Sequence, residues 1–274
     1  MDIPELVRRA LEEDVGAGDL TTTATVPVDR LARGVFLAKQ ELVVSGLEVA
    51  AEVFRAVDQR LVLEPAAGEG GRAAGGTHLG HVTGPARGML TGERVALNFV
   101  QRLCGVATLT RRFVDAVAGT RARIRDTRKT TPLLRALEKR AVEAGGGVPH
   151  RAGLDKAILI KDNHVRLAGS VGEATRRARA AFRDALVEVE VERLEQIEEA
   201  IAAGAGMILL DNFASAGVVE AVSRVRGRVP VEVSGGITLA TVRAYAEAGA
   251  DYIAIGALTH SAPAVDVSLE IDDA

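Results

Sequence analysis

Residues 187–211 read VEVEVERLEQIEEAIAAGAGMILLD, and this stretch decides the fold. It runs from a short strand through a polar tip into a helix, and on to the next apolar strand. The same phrase recurs on both sides. ARIRDT (122–127) and AILIKD (157–162) precede it, and PVEVSGG (230–236) and YIAIGA (252–257) follow it. With one marker at each tip (Asp126, Lys161, Glu190, Asp211, Ser234 and Gly256), the successive steps are 35, 29, 21, 23 and 22 residues. Repeated βα units of that length build a parallel sheet, closed or nearly closed into a barrel.

The residues before this rhythm are of mixed α/β character. A helix is expected over residues 3–13, then a loop-like GAGDLTTTATVP (16–27) and strands within VFLAKQELVVSG (35–46). GLEVAAEVFRAV (46–57) reads as a helix, RLVLE (60–64) as a strand and HLGHVTG (78–84) as an extended segment. The Gly-rich GEGGRAAGG (68–76) lacks the GxxxxGK[ST] pattern and precedes no helix, so it reads as a surface turn and not a phosphate loop. A long helix is expected from Thr91 onward through NFVQRLCGVATL. The expected class is therefore α/β, with a domain over 1–109 and a barrel domain over 110–274 whose extreme C-terminal residues are free to pack back on the first.

Composition excludes several roles. At 274 residues the chain can bury a sizeable core. A net charge of −3, an aromatic content of 3% and the absence of Trp argue against a nucleic-acid binder. The lone Cys104, in an apolar helical stretch, permits no intramolecular disulfide and reads as core. The opening MDIPELVRRALEEDVG is an acidic amphipathic helix without a signal-peptide apolar region, and no apolar run is long enough to span a bilayer. A cytoplasmic location and no membrane partner are expected.

Parallel αβ barrels carry their sites at the carboxyl ends of the strands. Here those ends gather Arg128, Lys129, Arg151 and Lys161, with His150 beside Arg151, and opposite them Glu190 and Asp211. Clustered cations repel one another, and an anionic ligand relieves this. Guanidinium groups match carboxylates bidentately, so two arginines with a lysine suit a small di-anion. The chain holds 29 Arg and only five Lys, yet keeps Lys in DTRKTT and LIKDNH, where a compact point charge is wanted. Neither Glu190 nor Asp211 has His or Cys at zinc-type spacing, so Mg²⁺ held through water and substrate oxygens is the expected ion. Ser234-Gly235-Gly236 and Gly256-Ala257, at consecutive late tips, form a candidate phosphate cradle, the first running into a helix expected near Thr238. The rim thus reads as a dicarboxylate pocket, an acidic metal or ribose region and a phosphate cradle. An aldolase-like barrel using Lys129 or Lys161 as a Schiff base stays open on this reading.

Seven segments, EDVGAGDLTT (13–22), TGERVALNFVQRLCGVAT (91–108), IRDTRKTTPLLRALEKRAVEAGGGVPHRAGL (124–154), ILIKDNH (158–164), ILLDN (208–212), VEVSGGIT (231–238) and YIAIGALTHS (252–261), strongly resemble the quinolinate phosphoribosyltransferases. The resemblance covers nearly the whole chain in order. It implies an N-terminal α/β sandwich domain and a C-terminal open αβ-barrel (TIM-like) domain in a homodimer or a hexamer. It implies quinolinate and phosphoribosyl diphosphate as substrates, Mg²⁺ as the ion, and nicotinate mononucleotide, diphosphate and CO₂ as products. By matching motif, Thr127, Arg128, His150, Arg151 and Lys161 would hold quinolinate, together with Arg94 from the neighbouring subunit. Lys129, Asp162, Glu190, Asp211, Ser234, Gly235, Gly236, Gly256, Ala257 and His260 would bind phosphoribosyl diphosphate. Lys129, Glu190 and Asp211 would act in catalysis, Glu190 and Asp211 meeting the metal indirectly. A cation at position 94, at the head of the expected helix, opposes the helix dipole, which favours a partner's anion. Two positions depart from the family pattern: Pro149, where Asn is usual, and Lys156, where an acidic residue is common.

Overall fold

The structure is a computed structural model describing residues 2–272; Met1, Asp273 and Ala274 lie outside the described residues. The chain divides into two compact units. One holds the residues up to Arg111, Thr131–Gly146 and the residues from Ser261 on; the other holds Arg112–Thr130 and Gly147–His260.

In the first unit, α1 (Ile3–Val15) is started by Asp2, whose side chain accepts the Glu5 N–H at 3.0 Å. A second helix, α2 (Leu20–Thr25), occupies part of the stretch expected to be a loop. Its cause is local: the Asp19 carboxylate accepts the Thr22 N–H at 2.9 Å, and this cap overrides the modest helix propensity of the threonines. There follow β1 (Leu31–Ala38), β2 (Leu42–Val43), α3 (Leu47–Val57), β3 (Val62–Pro65), β4 (Arg72–Ala73) and β5 (His78–Pro85). The long helix α4 (Ala86–Ala116) follows β5 directly, so it begins at Ala86 and not at Thr91. Arg94 therefore lies about two turns inside the helix, beyond the reach of the terminal dipole. The conflict with the dipole expected at Arg94 does not exist.

The second unit begins its sheet with β6 (Arg123–Arg125), after which α5 (Arg135–Ala144) returns to the first unit. Then come β7 (Ile158–Ile160), α6 (Asp162–Ala168), α7 (Val171–Ala181), β8 (Val187–Val191), α8 (Glu195–Ala202) and β9 (Met207–Asp211). The barrel ends with α9 (Ser215–Val225), β10 (Val231–Ser234), α10 (Val242–Glu247), β11 (Tyr252–Ala254) and α11 (Ala257–His260). A last strand, β12 (Val267–Asp272), belongs to the first unit.

The first unit is built on a four-stranded antiparallel sheet ordered β12-β1-β5-β3, with β2 and β4 forming a separate pair. Phe36 of β1 and Phe54 of α3 meet edge to face, centroids 6.0 Å apart, and both are fully buried. One buried charge belongs here as well. Glu138 is fully enclosed and accepts from Arg102 (2.7 and 3.1 Å), from the Thr131 N–H (3.0 Å) and from the Thr131 hydroxyl (2.8 Å). The second unit is a six-stranded sheet ordered β6-β11-β10-β9-β8-β7, and each neighbouring pair is parallel. Among the described residues β6 and β7 are not bonded to each other, so the barrel is open. No helix among the described residues is long and apolar enough to cross a membrane.

The strand alternation is visible in β8, where all five residues are buried although two are glutamates. Glu188 and Glu190 share one face, and register places Glu188 between Leu159 and Met207 and Glu190 beside Leu209. The burial of Glu188 and Glu190 in a strand thus belongs to the barrel's interior face.

Gly105 in α4 lies against the main chain of residues 263–264 in the first unit. A Cβ there would overlap the Pro263 carbonyl oxygen and lie 3.2 Å from the Ala264 Cα. Gly105→Ala is expected to lower stability by at least about 2 kcal/mol, since the obstacle is backbone that cannot rotate away. Gly68→Ala, where nothing lies within 4 Å, serves as the control in the same calorimetric melt. Equal melting of the two chains would show that the 263–264 segment is free to move.

Candidate active site

The carboxyl ends of the barrel strands surround a cavity of about 340 Å³. Its wall carries Thr127, Arg128 and Lys129 from the loop after β6, His150 and Arg151 from the segment before β7, and Lys161 at the end of β7. Asp211 of β9 and Ser234 of β10 complete the polar rim, while Leu159, Leu209 and Ala254 supply an apolar floor with Glu232 among them. Eight of the residues expected from sequence thus meet in one concavity.

Glu190 adjoins it through an ion pair. Its Oε2 accepts from Lys161 Nζ at 2.7 Å, and its Oε1 faces the Asp162 N–H at 3.4 Å. The cationic and acidic sides of the rim are therefore bridged, not separate. The Lys161 N–H donates to His164 Nδ1 at 2.9 Å, so the KDNH segment caps its own helix α6. Asp162 itself reaches toward Arg166 at 3.8 Å.

Charge density leaves a mark on the titrating groups. Burial first, then the Glu190 carboxylate, raises the Asp211 carboxyl above its ordinary value, against the opposing pull of Lys161 and Lys129. Burial and the neighbouring Arg128 lower the Arg151 guanidinium, with Glu188 acting in the other direction. Two like pairs, Arg128 with Arg151 and Glu190 with Asp211, are thus close enough to repel. An anion suits the first pair and a cation the second. Cys104 is fully buried and its thiol is pushed up to about 12, so the residue is core and not a nucleophile.

The glycine tips differ from expectation in one respect. Gly235 (φ 102°) and Gly236 (φ 60°) follow β10, but α10 begins only at Val242, after a turn in which the Thr241 N–H donates to the Thr238 carbonyl. Ser234-Gly235-Gly236 therefore does not open a helix, and the cradle there is strand-end backbone alone. Gly256 does precede a short turn, α11, which contains Ala257 and His260. A Cβ on Gly256 would lie 3.1 Å from His260 Nε2 and 3.2 Å from Lys129 Cδ, which brings three of the expected residues together. The Thr259 hydroxyl donates to the Lys129 carbonyl at 2.8 Å and ties that loop to the same tip. Arg94 is an exposed α4 residue of the first unit, and its side chain makes no hydrogen bond or ion pair among the described residues.

Sequence reasoning missed the layer beneath. Glu232 is fully buried, and its Oε2 accepts from Arg125 at 2.5 Å. Arg125 also lies over the Tyr252 ring at 4.7 Å. Glu188 stands near His150, and Asp126, fully buried, accepts the His150 N–H at 2.6 Å. The signal was available in the alternation: in VEVEV and VEVS, Glu188 and Glu232 share a face with Glu190 and Ser234. Burial and then the Glu188 charge raise the Glu232 carboxyl, with Arg125 opposing.

His150, Glu188 and Glu232 could in principle hold a metal ion, their ligand atoms lying within 4.8 Å of one another. The hydrogen bonding is against it. His150 Nδ1 accepts the Arg151 N–H at 2.7 Å, so the ring proton resides on Nε2, the nitrogen that would have to ligate.

The Gly235 tip yields a direct test. A Cβ there would overlap the Asn212 side-chain oxygen and lie 2.9 Å from its main-chain nitrogen, at a φ that L-residues rarely adopt. Asn212 in turn donates to Asp211 Oδ2 at 2.6 Å. Gly235→Ala is expected to melt lower than Gly236→Ala, whose Cβ meets nothing and whose backbone costs only about 1–2 kcal/mol. Equal melting temperatures would mean that the Asn212 tip yields freely.

Comparison with known proteins identifies the family. Residues 19–104 match the family model described as quinolinate phosphoribosyl transferase, N-terminal domain, and residues 106–270 match its C-terminal domain. A Mycobacterium leprae (strain TN) protein named nicotinate-nucleotide pyrophosphorylase (carboxylating) is 46% identical over 275 residues, covering 97% of this chain and 96% of that one. A Nicotiana tabacum protein named quinolinate phosphoribosyltransferase (decarboxylating) 1b is 38% identical over 99% of this chain and 83% of its own length. The solved structure of the nicotinate-nucleotide pyrophosphorylase from Francisella tularensis superposes with a TM-score of 0.95 at 36% identity, covering 98% of this chain and 96% of that one. With both family domains matched in order, the chain belongs to the quinolinate phosphoribosyl transferase family.

Proposed function

We propose that this enzyme transfers the phosphoribosyl group of phosphoribosyl diphosphate to quinolinate with loss of CO₂, giving nicotinate mononucleotide and diphosphate for NAD biosynthesis in the cytoplasm. The observation that carries this reading is the single cavity in which Arg128, Arg151 and Lys161 face Asp211, with Lys161 paired to Glu190. A di-anionic ring and a sugar that develops positive charge need those two opposite environments side by side.

Arg128, Arg151 and Lys161 hold the two quinolinate carboxylates, and Thr127 adds a hydroxyl beside them. Leu159, Leu209 and Ala254 present an apolar surface to the ring. The ring nitrogen then attacks C1 of the ribose as diphosphate departs. Glu190 and Asp211 stabilise the positive charge that develops on the sugar, and Lys129 stabilises the leaving group. Ser234, Gly235, Gly236, Gly256 and Ala257 receive the 5′-phosphate on main-chain N–H groups, with His260 and Asp162 at the margins. Holding both reactants in line removes much of the entropic barrier. The N-ribosylated pyridinium is an electron sink, so the adjacent carboxylate leaves as CO₂, its bonding electrons stay on the ring carbon, and that carbon takes up a proton from water. Mg²⁺ fits the mutually repelling Glu190 and Asp211, which would hold it through water or substrate oxygens, and it would supply charge neutralisation at the diphosphate.

The assay that tests the reading follows nicotinate mononucleotide and CO₂ formation, dependent on both substrates. Absence of product with quinolinate would overturn it. Arg151→Ala is expected to raise the quinolinate KM by about 10- to 150-fold, the loss of roughly 1.5–3 kcal/mol for a charged hydrogen bond, with little change in the phosphoribosyl diphosphate KM. Lys161→Ala, which also frees Glu190, is expected to lower kcat as well. Selective loss of phosphoribosyl diphosphate affinity in Arg151→Ala would contradict the assignment.

Arg94 belongs to a shared site in this proposal, in which two copies form a homodimer and each lends Arg94 to the other's quinolinate pocket. Its exposure, its lack of a bond among the described residues and the family match support the reading. Mixing Arg94→Ala chains with Lys161→Ala chains then leaves one complete site in each mixed dimer. Random reassortment makes about half of the dimers mixed, so recovery to about a quarter of the wild-type activity is expected. Verified mixed dimers with no gain over either mutant would show that Arg94 acts within its own chain or not at all.

A further inference from the structure

His150 stands in the cavity wall, yet its polar atoms are engaged by the protein. Nδ1 accepts the Arg151 main-chain N–H at 2.7 Å. Nε2 lies 3.2 Å from Glu188 Oε2 and 3.5 Å from Glu232 Oε1. The His150 N–H donates to Asp126 Oδ1 at 2.6 Å. Asp126, Glu188 and Glu232 come from β6 or its tip, from β8 and from β10, and all are buried. Three rigid elements therefore grip a residue that lies on an irregular segment.

The grip determines where the proton is. An Nδ1 that accepts a hydrogen bond carries no proton, so the ring is neutral, with its proton on Nε2 directed at Glu188. An imidazolium would set an Nδ1–H against the Arg151 N–H, two donors 2.7 Å apart, and would break the contact. His150 is thus unsuited to serve as a fifth cation beside Arg128, Lys129, Arg151 and Lys161.

We propose that His150 is a positioning residue: held by Asp126 and Glu188, it fixes the main chain at Arg151 and so aims that guanidinium at the substrate carboxylate. Arg151 is pinned at its far end too, where Nη1 donates to the Ala157 carbonyl at 2.8 Å, and its Nε is buried without a hydrogen bond among the described residues. With both ends fixed, the side chain has little rotamer freedom left to lose on binding, which favours affinity. Arg125 occupies Oε2 of Glu232, and the other oxygen stands 3.5 Å from Nε2 against 3.2 Å for Glu188, so Glu188 is the nearer acceptor for the ring. This role rests on the reading of the cavity as a quinolinate site.

The primary experiment is nitrogen NMR of the enzyme with ¹⁵N-labelled histidine, alone and with quinolinate. The chain has five His, and His150→Gln assigns the signals. Expected is a pyridine-type Nδ1 and a pyrrole-type Nε2 in both states. An imidazolium, or a proton on Nδ1, in either state overturns the proposal. The second arm is kinetic. Glu188→Leu removes the acceptor and is expected to raise the quinolinate KM about tenfold while the phosphoribosyl diphosphate KM stays within about twofold. Glu188→Gln retains an acceptor oxygen and relieves the repulsion on Glu232, so its quinolinate KM is expected within about threefold of the wild type. A folded Glu188→Leu enzyme with unchanged quinolinate KM also overturns the proposal. Should Glu188→Leu not fold, the spectra of the unmutated enzyme decide. If the enzyme fails to turn over quinolinate at all, the proposed function falls, while the nitrogen spectra still judge the grip on His150.

Discussion

Carboxylates buried inside a barrel of parallel strands must each find a cation, a donor or a proton, and the second unit is arranged around that requirement. Glu188, Glu190 and Glu232 are 3%, 8% and 0% exposed. Glu232 meets Arg125, Glu190 meets Lys161, and Glu188 meets the His150 ring. Leaving any of these unmatched would cost several kcal/mol, so the three contacts together constrain β6, β7, β8, β10 and the segment before β7. Barrel interiors are more often filled with Val, Ile and Leu. Here part of that interior is ionic, and the polar rim rests on it.

The parallel half of the fold was legible because strand tips recur at near-regular steps and carry residues that do not belong in a core. The cations of DTRKTT, HRA and LIKDNH converge as their positions on the rim require. Four features were not legible, each for a physical reason. The helix α2 depends on one Asp19 side-chain bond that outweighs an unpromising run of threonines. The start of α4 is set by the end of β5, since helix follows strand with no intervening loop to mark the change. The turn between Gly236 and Val242 closes through Thr238 and Thr241, whose bond to each other has no distinctive pattern in sequence. The contact between Asp126 and His150 spans 24 residues and joins a strand tip to an irregular segment, a pairing that periodicity does not report.

Lysine usage takes on meaning in this setting. Of the five lysines in a chain with 29 arginines, Lys129 and Lys161 line the cavity. Lys161 reaches Glu190 while lining the same cavity as Arg128 and Arg151. A planar guanidinium would commit to one carboxylate by its fork geometry, whereas a compact ammonium with three rotatable donors can serve two partners in different directions. Arg128 and Arg151, by contrast, stand where a fixed planar fork is the useful shape.

The placement of β12 bears on how the protein is made. Arg33 pairs with Asp272 and Phe36 with Leu269, so the edge strand of the first sheet comes from the far end of the chain. A ribosome delivers β1 and β5 before the barrel strands and β12 only after all of them. Until then the β1 edge exposes unpaired backbone groups, while every strand of the barrel has already been translated. The sheet encoded first is therefore finished last, after the barrel strands. Premature termination between Ser261 and Asp266 would yield a complete set of barrel strands attached to a sheet with an open, aggregation-prone edge.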